Sequence, residues 1–296
     1  MSILNSIAKL YVRFTFRDDG GFNALKTQWD FNFRNPPKGI AERCERVHSD
    51  VRAFWIDRRE AGRGVLVYLH GGAFYFGPVK EHWEYLARIC KLTQFAGLMV
   101  DYGIAPQNPF PVGLNEIVDL VTRFELPANW FFLGDSSGAG MAVSAVFKLR
   151  AMNKQLPQKL ILMSPWVDAT LGNPDIDLNK HEDVMMTVER LSRAAHEYVG
   201  DADPKDPLIS PMFGDLAGLP PTLIQMGTAD LLLADCRMFY QKCLLAGVDV
   251  RYEEFPGAFH DFMMLNILPE AKRALKSQAR FLQQSLNSPP KNSPEF

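Results

Sequence analysis

Ser136, Asp230 and His260 stand in that order along the chain, and together they could carry out acyl transfer. A serine hydroxyl is a weak nucleophile until a base takes its proton and donors receive the charge that develops on the attacked carbonyl. Ser136 is the centre of Gly134-Asp135-Ser136-Ser137-Gly138. The Gly-x-Ser-x-Gly pattern alone arises by chance in roughly one chain in ten of this length. Its setting makes it informative. The apolar run Trp130–Leu133 precedes it and a helical pattern opens at Ser137, the strand–turn–helix context of a nucleophile elbow. A helix N-terminus also favours developing negative charge. A glycine-rich turn with Ser136 as a simple helix cap is the alternative reading. Ser137 is a neighbouring hydroxyl, but only Ser136 occupies the centre of the motif.

Donors for the developing charge are expected in His70-Gly71-Gly72-Ala73-Phe74, directly after the β-branched run Val65–Leu69. Consecutive glycines let backbone N–H groups face a substrate, and one such donor contributes about 2.7–4 kcal/mol in acyl transfer. Gly71 and Gly72 are the expected donors, joined by the N–H of Ser137 after the nucleophile.

The base and its orienting acid should follow the serine in the order acid, then histidine. His260 follows the run Val250–Phe255 through Pro256-Gly257-Ala258-Phe259, and Asp230 follows Thr222–Met226 through Gly227-Thr228-Ala229. Both positions are loops at a strand's carboxyl end, the edge where open α/β sheets bind ligands. His181 and His196 fall in a polar stretch and read as surface residues. Asp235 is the second choice for the acid, a turn and more into the next helix.

The elements that must hold these loops are visible as an alternation. Strands are expected at Val65–Leu69, Leu98–Tyr102, Trp130–Leu133, Leu160–Met163, Thr222–Met226 and Val250–Phe255. Helical spacing fills the intervals over 81–95, 112–124 and 137–152, then over 231–246 and 269–284. This is an α/β chain with a largely parallel sheet covered on both faces. The rhythm breaks between about residues 169 and 205, where one helix (188–199) stands among polar and proline-containing stretches. That segment reads as a cap insertion, and residues 1–45 as the N-terminal part of the cap. The catalytic domain would then be 46–168 plus 206–287, with 288–296 a disordered tail.

Several motifs in register resemble the hormone-sensitive-lipase-like family of bacterial esterases. They are His70-Gly71-Gly72-Ala73-Phe74, Asp101-Tyr102-Gly103-Ile104-Ala105-Pro106, Gly134-Asp135-Ser136-Ser137-Gly138, Ser164-Pro165-Trp166-Val167-Asp168, Gly227-Thr228-Ala229-Asp230 and Gly257-Ala258-Phe259-His260-Asp261-Phe262. The resemblance spans roughly residues 64–285. It implies the α/β-hydrolase fold, with an eight-stranded, mostly parallel sheet, flanking helices and a helical cap. It further implies hydrolysis of short- to medium-chain carboxylic esters without a cofactor, on the triad Ser136, Asp230 and His260. Ala73 stands where a third glycine is usual, and Ser137 where alanine is common. Gly103 and Gln107 replace an arginine and a glutamate, which removes a local charge interaction beside the site. Phe74, Trp83, Trp166, Leu208 and Phe213 are candidate pocket lining. An amidase, a formamidase or an acyltransferase would use the same triad, and a small-molecule receptor could use the same fold without the base.

Composition narrows the remaining classes. The 296 residues are 47% hydrophobic and 22% charged, ordinary for a globular protein. With 32 Lys plus Arg against 34 Asp plus Glu, net charge is −2, and no basic block suggests nucleic-acid binding. No His-Glu-x-x-His or similar ligand cluster suggests a metal. No run approaches the ~18 apolar residues of a membrane span, and the first ten residues lack a signal-peptide pattern. Four cysteines, Cys44, Cys90, Cys236 and Cys243, form no paired motif and read as reduced thiols, with a Cys236–Cys243 disulfide left open. The expected setting is cytoplasmic, as a monomer or homodimer acting on a small-molecule ester.

Overall fold

Residues of a strand point alternately to opposite faces of its sheet, and here both faces are apolar. Val65, Val67 and Leu69 enter one core while Leu66 and Tyr68 enter the other. Trp130 and Phe132 likewise part from Phe131 and Leu133. Strands buried on both sides need continuous apolar runs and helices on each face. That is the architecture of this computed structural model, which describes residues 2–15, 34–124, 126–179 and 181–284.

The sheet has eight strands: β1 (Cys44–Arg46), β2 (Arg52–Ile56), β3 (Val65–Leu69), β4 (Ala96–Asp101), β5 (Trp130–Asp135), β6 (Leu160–Met163), β7 (Thr222–Gly227) and β8 (Val250–Phe255). Their order is β1-β2-β4-β3-β5-β6-β7-β8. β1–β2 and β2–β4 pair antiparallel, and every later pairing is parallel. The first two strands enlarge the sheet beyond the six runs visible in the sequence, and β1 starts at Cys44, inside the stretch expected to have no sheet role.

The described helices are α1 (Ile3–Thr15), α2 (Lys38–Ala41), α3 (Lys80–Thr93), α4 (Val112–Arg123), α5 (Ser136–Ala151), α6 (Val188–Val199), α7 (Leu233–Leu245) and α8 (Pro269–Gln283). α5 is buried almost all round, as a central helix must be. α1, α3 and α8 contribute to the core on the opposite face. α1 is tied down by Asn5, whose Nδ2 donates to the Gly257 carbonyl at 2.9 Å, and by Ser2, which binds Glu270. Lys9 also reaches Glu182 of the insertion at 3.6 Å.

Residues of the expected insertion pack on the loops at the carboxyl ends of the strands. Asn179 Nδ2 donates to the carbonyls of Thr228 and Asp230, Leu231 N–H donates to Asp183, and Phe110 N–H donates to the Tyr198 carbonyl. All four cysteines are free thiols, and Cys236 Sγ donates to the Pro165 carbonyl at 3.1 Å. Among the described residues no helix is long and apolar enough to cross a membrane. The tail expected at 288–296, like residues 16–33 of the expected cap, lies outside the described residues.

Candidate active site

β5 ends at Asp135 and α5 begins at Ser136 with no intervening loop. A turn that sharp forces Ser136 to φ 48°, where a non-glycine residue carries roughly 1–3 kcal/mol of strain. The flanking glycines are steric requirements. A Cβ on Gly134 would stand 2.6 Å from the backbone of Gly138, and one on Gly138 would stand 2.1 Å from the Leu69 carbonyl oxygen. The Ser136 carbonyl accepts from Trp166 N–H at 3.0 Å, which ties the turn to the end of β6.

The loops after β7 and β8 bring an acid and a histidine together. Ala229 N–H donates to the Ala258 carbonyl at 2.9 Å and Gly257 N–H to Thr228 Oγ1 at 2.7 Å. This close packing leaves no room for a side chain at Gly227. His260 Nδ1 then lies 2.9 Å from Asp230 Oδ2, with both residues buried. The other acidic choice, Asp235, is held by Asn173 Nδ2 at 2.7 Å. His181 and His196 are exposed.

The second imidazole nitrogen, Nε2, lies 3.2 Å from Asp261 Oδ2. Ser136 Oγ makes no hydrogen bond among the described residues. Burial alone disfavours the imidazolium, but the Asp261 and Asp230 carboxylates outweigh it and hold the His260 pKa well above its ordinary value. Burial pushes Asp261 up to about 6 against the pull of His260. Asp183, buried beside Asp230, is also pushed up to about 6.

Opposite the elbow, Gly72, Ala73 and Phe74 have φ of 118°, 55° and 61° in succession. Successive residues in such conformations turn their N–H groups into a concave, anion-seeking surface. Their partners can be followed one by one. Gly71 N–H approaches the Asp135 carboxylate, Phe74 N–H donates to Ser137 Oγ at 3.1 Å, and Tyr75 and Phe76 N–H return to the Gly72 carbonyl. Among the described residues, the N–H groups of Gly72, Ala73 and Ser137 have no acceptor. Gly71 N–H thus lies toward Asp135 and helps hold its charge, while Gly72 and Ser137 are open, with Ala73 beside them.

Beneath this surface lies a buried polar network that no sequence motif announces. Asp135 accepts from Tyr68 Oη and from His82 Nε2, the latter at 3.1 Å. Val79 N–H donates to His82 Nδ1 at 3.0 Å, which puts the ring proton on Nε2, toward Asp135. Burial opposes charge on both partners, yet each other's charge raises His82 and lowers Asp135. His70, stacked on Tyr102 at 4.3 Å, is held neutral: burial, with His82 nearby, lowers its pKa to about 3. The signal available was chemical type alone, since 53 residues separate His82 from Asp135.

The candidate lining residues divide. Phe74 stacks on Tyr198 of the insertion at 3.7 Å and lies 5.3 Å from Trp166, forming one aromatic group beside the donor loop. Leu208 packs partly buried against the same core. Trp83 sits in the opposite core, edge-on to Phe54, and Phe213 is exposed beneath Lys242. In the segment with Gly103 in place of arginine, Gly103 N–H donates to Glu116, and Asp101 is paired with Arg34 and Arg52, each at 2.9 Å.

A strained serine after β5, with an Asp–His pair after β7 and β8 of this sheet, defines the class as an α/β-hydrolase. Residues 66–264 match the family described as the alpha/beta hydrolase fold, and the chain belongs to that family, among its hormone-sensitive-lipase-like esterases. It is 35% identical over 266 residues to an esterase of Acinetobacter venetianus, covering 88% of each chain. It is also 35% identical over 236 residues to an acetyl-hydrolase of Streptomyces hygroscopicus, covering 78% of this chain and 79% of that one. The solved structure of an esterase from the bacterial hormone-sensitive lipase family superposes with a TM-score of 0.86 at 29% identity, covering 97% of this chain and 99% of that one.

Proposed function

We propose that this esterase cleaves short- to medium-chain carboxylic esters by two-step acyl transfer on Ser136, with His260 as the base and Asp230 orienting it. The observation that carries the reading is the 2.9 Å contact between His260 Nδ1 and Asp230, on loops beside the strained serine turn. As Ser136 Oγ bonds to the ester carbonyl carbon, His260 Nε2 takes the hydroxyl proton. The carbonyl oxygen becomes an oxyanion received by the N–H groups of Gly72 and Ser137, with Ala73 beside them. Collapse breaks the bond to the alcohol, and His260 protonates that leaving group. Water then attacks the acyl-enzyme, giving its proton to His260, and the carboxylic acid leaves as Ser136 regains its hydrogen.

The insertion and the N-terminal helix act as a cap that excludes water and limits acyl length. Support comes from Tyr198 against Phe74, and from Asn179 and Asp183 on the acid loop. The acetyl-hydrolase relative supports a short acyl group. We assign the protein to the cytoplasm, as a monomer or homodimer.

The test is hydrolysis of a p-nitrophenyl ester series, from acetate to long-chain acyl, by wild type and Ser136→Ala. The reading expects turnover on short acyl groups that falls by a factor of about 10⁴ or more in the variant. Equal rates in the two proteins would overturn the assignment of Ser136.

A further inference from the structure

We propose that the hydroxyl of Ser137 is a positioning group that holds the oxyanion loop in register with the serine elbow. The inference rests on the reading of Ser136 as nucleophile and adds a role for the side chain that follows it.

Ser137 is fully buried at the start of α5. Its Oγ accepts from Phe74 N–H at 3.1 Å. Tyr102, whose phenol feels the Ser137 hydroxyl though burial dominates its pKa, donates from Oη to the His70 carbonyl. Ser137 thus holds the Phe74 end of the segment His70–Phe74 and Tyr102 holds its His70 end. Between those ends lie the open N–H groups of Gly72 and Ala73.

The segment needs such a grip. Ala73 and Phe74 are non-glycine residues at positive φ, each carrying roughly 1–3 kcal/mol of strain that surrounding contacts must hold. Other restraints are local or come from the opposite side: Tyr75 and Phe76 N–H donate to the Gly72 carbonyl, the Phe74 carbonyl accepts from Ala105 N–H at 2.8 Å, and the Phe74 ring lies on Tyr198. Alanine, common at position 137 in the family this sequence resembles, would leave the buried Phe74 N–H without its acceptor. The donors would then drift relative to an oxyanion that exists only in the transition state, so the loss should fall on kcat rather than KM.

The experiment compares wild type, Ser137→Ala, Tyr102→Phe and the double variant on p-nitrophenyl acetate. It also measures the affinity of each for a short-chain trifluoromethyl ketone, which forms a tetrahedral serine adduct. The expected result for Ser137→Ala is a ten- to hundredfold loss in kcat, on the order seen for misplaced or missing donors. KM should stay within about twofold, and affinity for the ketone should fall by the same factor as kcat. Tyr102→Phe should share part of the loss, and the double variant should lose less than the product of the two singles. Unchanged kcat and ketone affinity in Ser137→Ala, or a loss confined to KM, overturns the proposal. If Ser137→Ala does not fold, the same two readouts on Tyr102→Phe decide it. A fluorophosphonate labelling wild type at a residue other than Ser136 would overturn the underlying reading as well, which separates the two failures.

Discussion

His260 stands between two carboxylates, with Nδ1 2.9 Å from Asp230 and Nε2 3.2 Å from Asp261. In the proposed mechanism, the second contact occupies the nitrogen that takes the Ser136 proton. There Asp261 would compete with Ser136 for the base, and it favours the imidazolium, which cannot act as one. Asp183 and Asp135 add negative charge around the same loops.

The consequence is a pH dependence with a definite sign. Because His260 titrates above its ordinary ~6.5, kcat/KM should rise with pH through a midpoint above that value. An opposite charge at this distance shifts a pKa by about 1–3 units. Asp261→Asn should therefore move the midpoint down by about one unit and raise activity at pH 6. Identical pH profiles for the two proteins would show that Asp261 does not act on the base.

The serine turn couples stability to function in the opposite direction. Strain of roughly 1–3 kcal/mol at Ser136 exceeds the ~0.5–1 kcal/mol that glycine loses in chain entropy. Ser136→Gly should abolish turnover while stabilising the fold by up to about 2 kcal/mol. Equilibrium denaturation in urea reads this directly, and a variant less stable than wild type would contradict it.

Much of the candidate site was legible because each proposed catalytic residue follows an apolar run. Ser136, Asp230 and His260 could be placed at strand ends from β5, β7 and β8 alone. β1 escaped because it is three residues at the sheet's edge, two of them charged. A strand buried on neither face leaves no apolar pattern to read. The direction of single N–H groups was equally hidden. Gly71 N–H meets Asp135, while Gly72 N–H finds no acceptor among the described residues, a difference that two identical residue types cannot encode by themselves. The pairing of His82 with Asp135 is a long-range product of packing α3 against the sheet.

That pairing should be expensive to break. With Nδ1 accepting from Val79 N–H, His82 donates to Asp135 as a neutral imidazole. Taking a donor from a buried carboxylate costs about 1–3 kcal/mol or more. The folded-state pKa of Asp135 is lowered, so its contribution is present above ~3.9 and fades as pH falls through the folded value. His82→Ala should thus destabilise most above about pH 4. A loss below ~1 kcal/mol at pH 5.5 would mean that the Asp135 carboxylate does not depend on His82.

The contact of Tyr198 with Phe74 makes acyl length adjustable at one position. The Tyr198 ring is buried flat against Phe74, and its hydroxyl has no partner among the described residues, so its ring does the work of a wall. Replacing it with alanine removes one restraint on Phe74 but keeps the Asp230–His260 pair and the Phe74–Ser137 hydrogen bond, and under the proposed function it opens space beside the acyl group. Each methylene that newly fits buries about 0.8 kcal/mol, which corresponds to roughly fourfold in kcat/KM. Tyr198→Ala should therefore lose little on acetate and gain about fourfold per added carbon on hexanoate and octanoate. An acyl-length profile parallel to that of wild type would place the acyl chain elsewhere, on the side of the site away from the insertion.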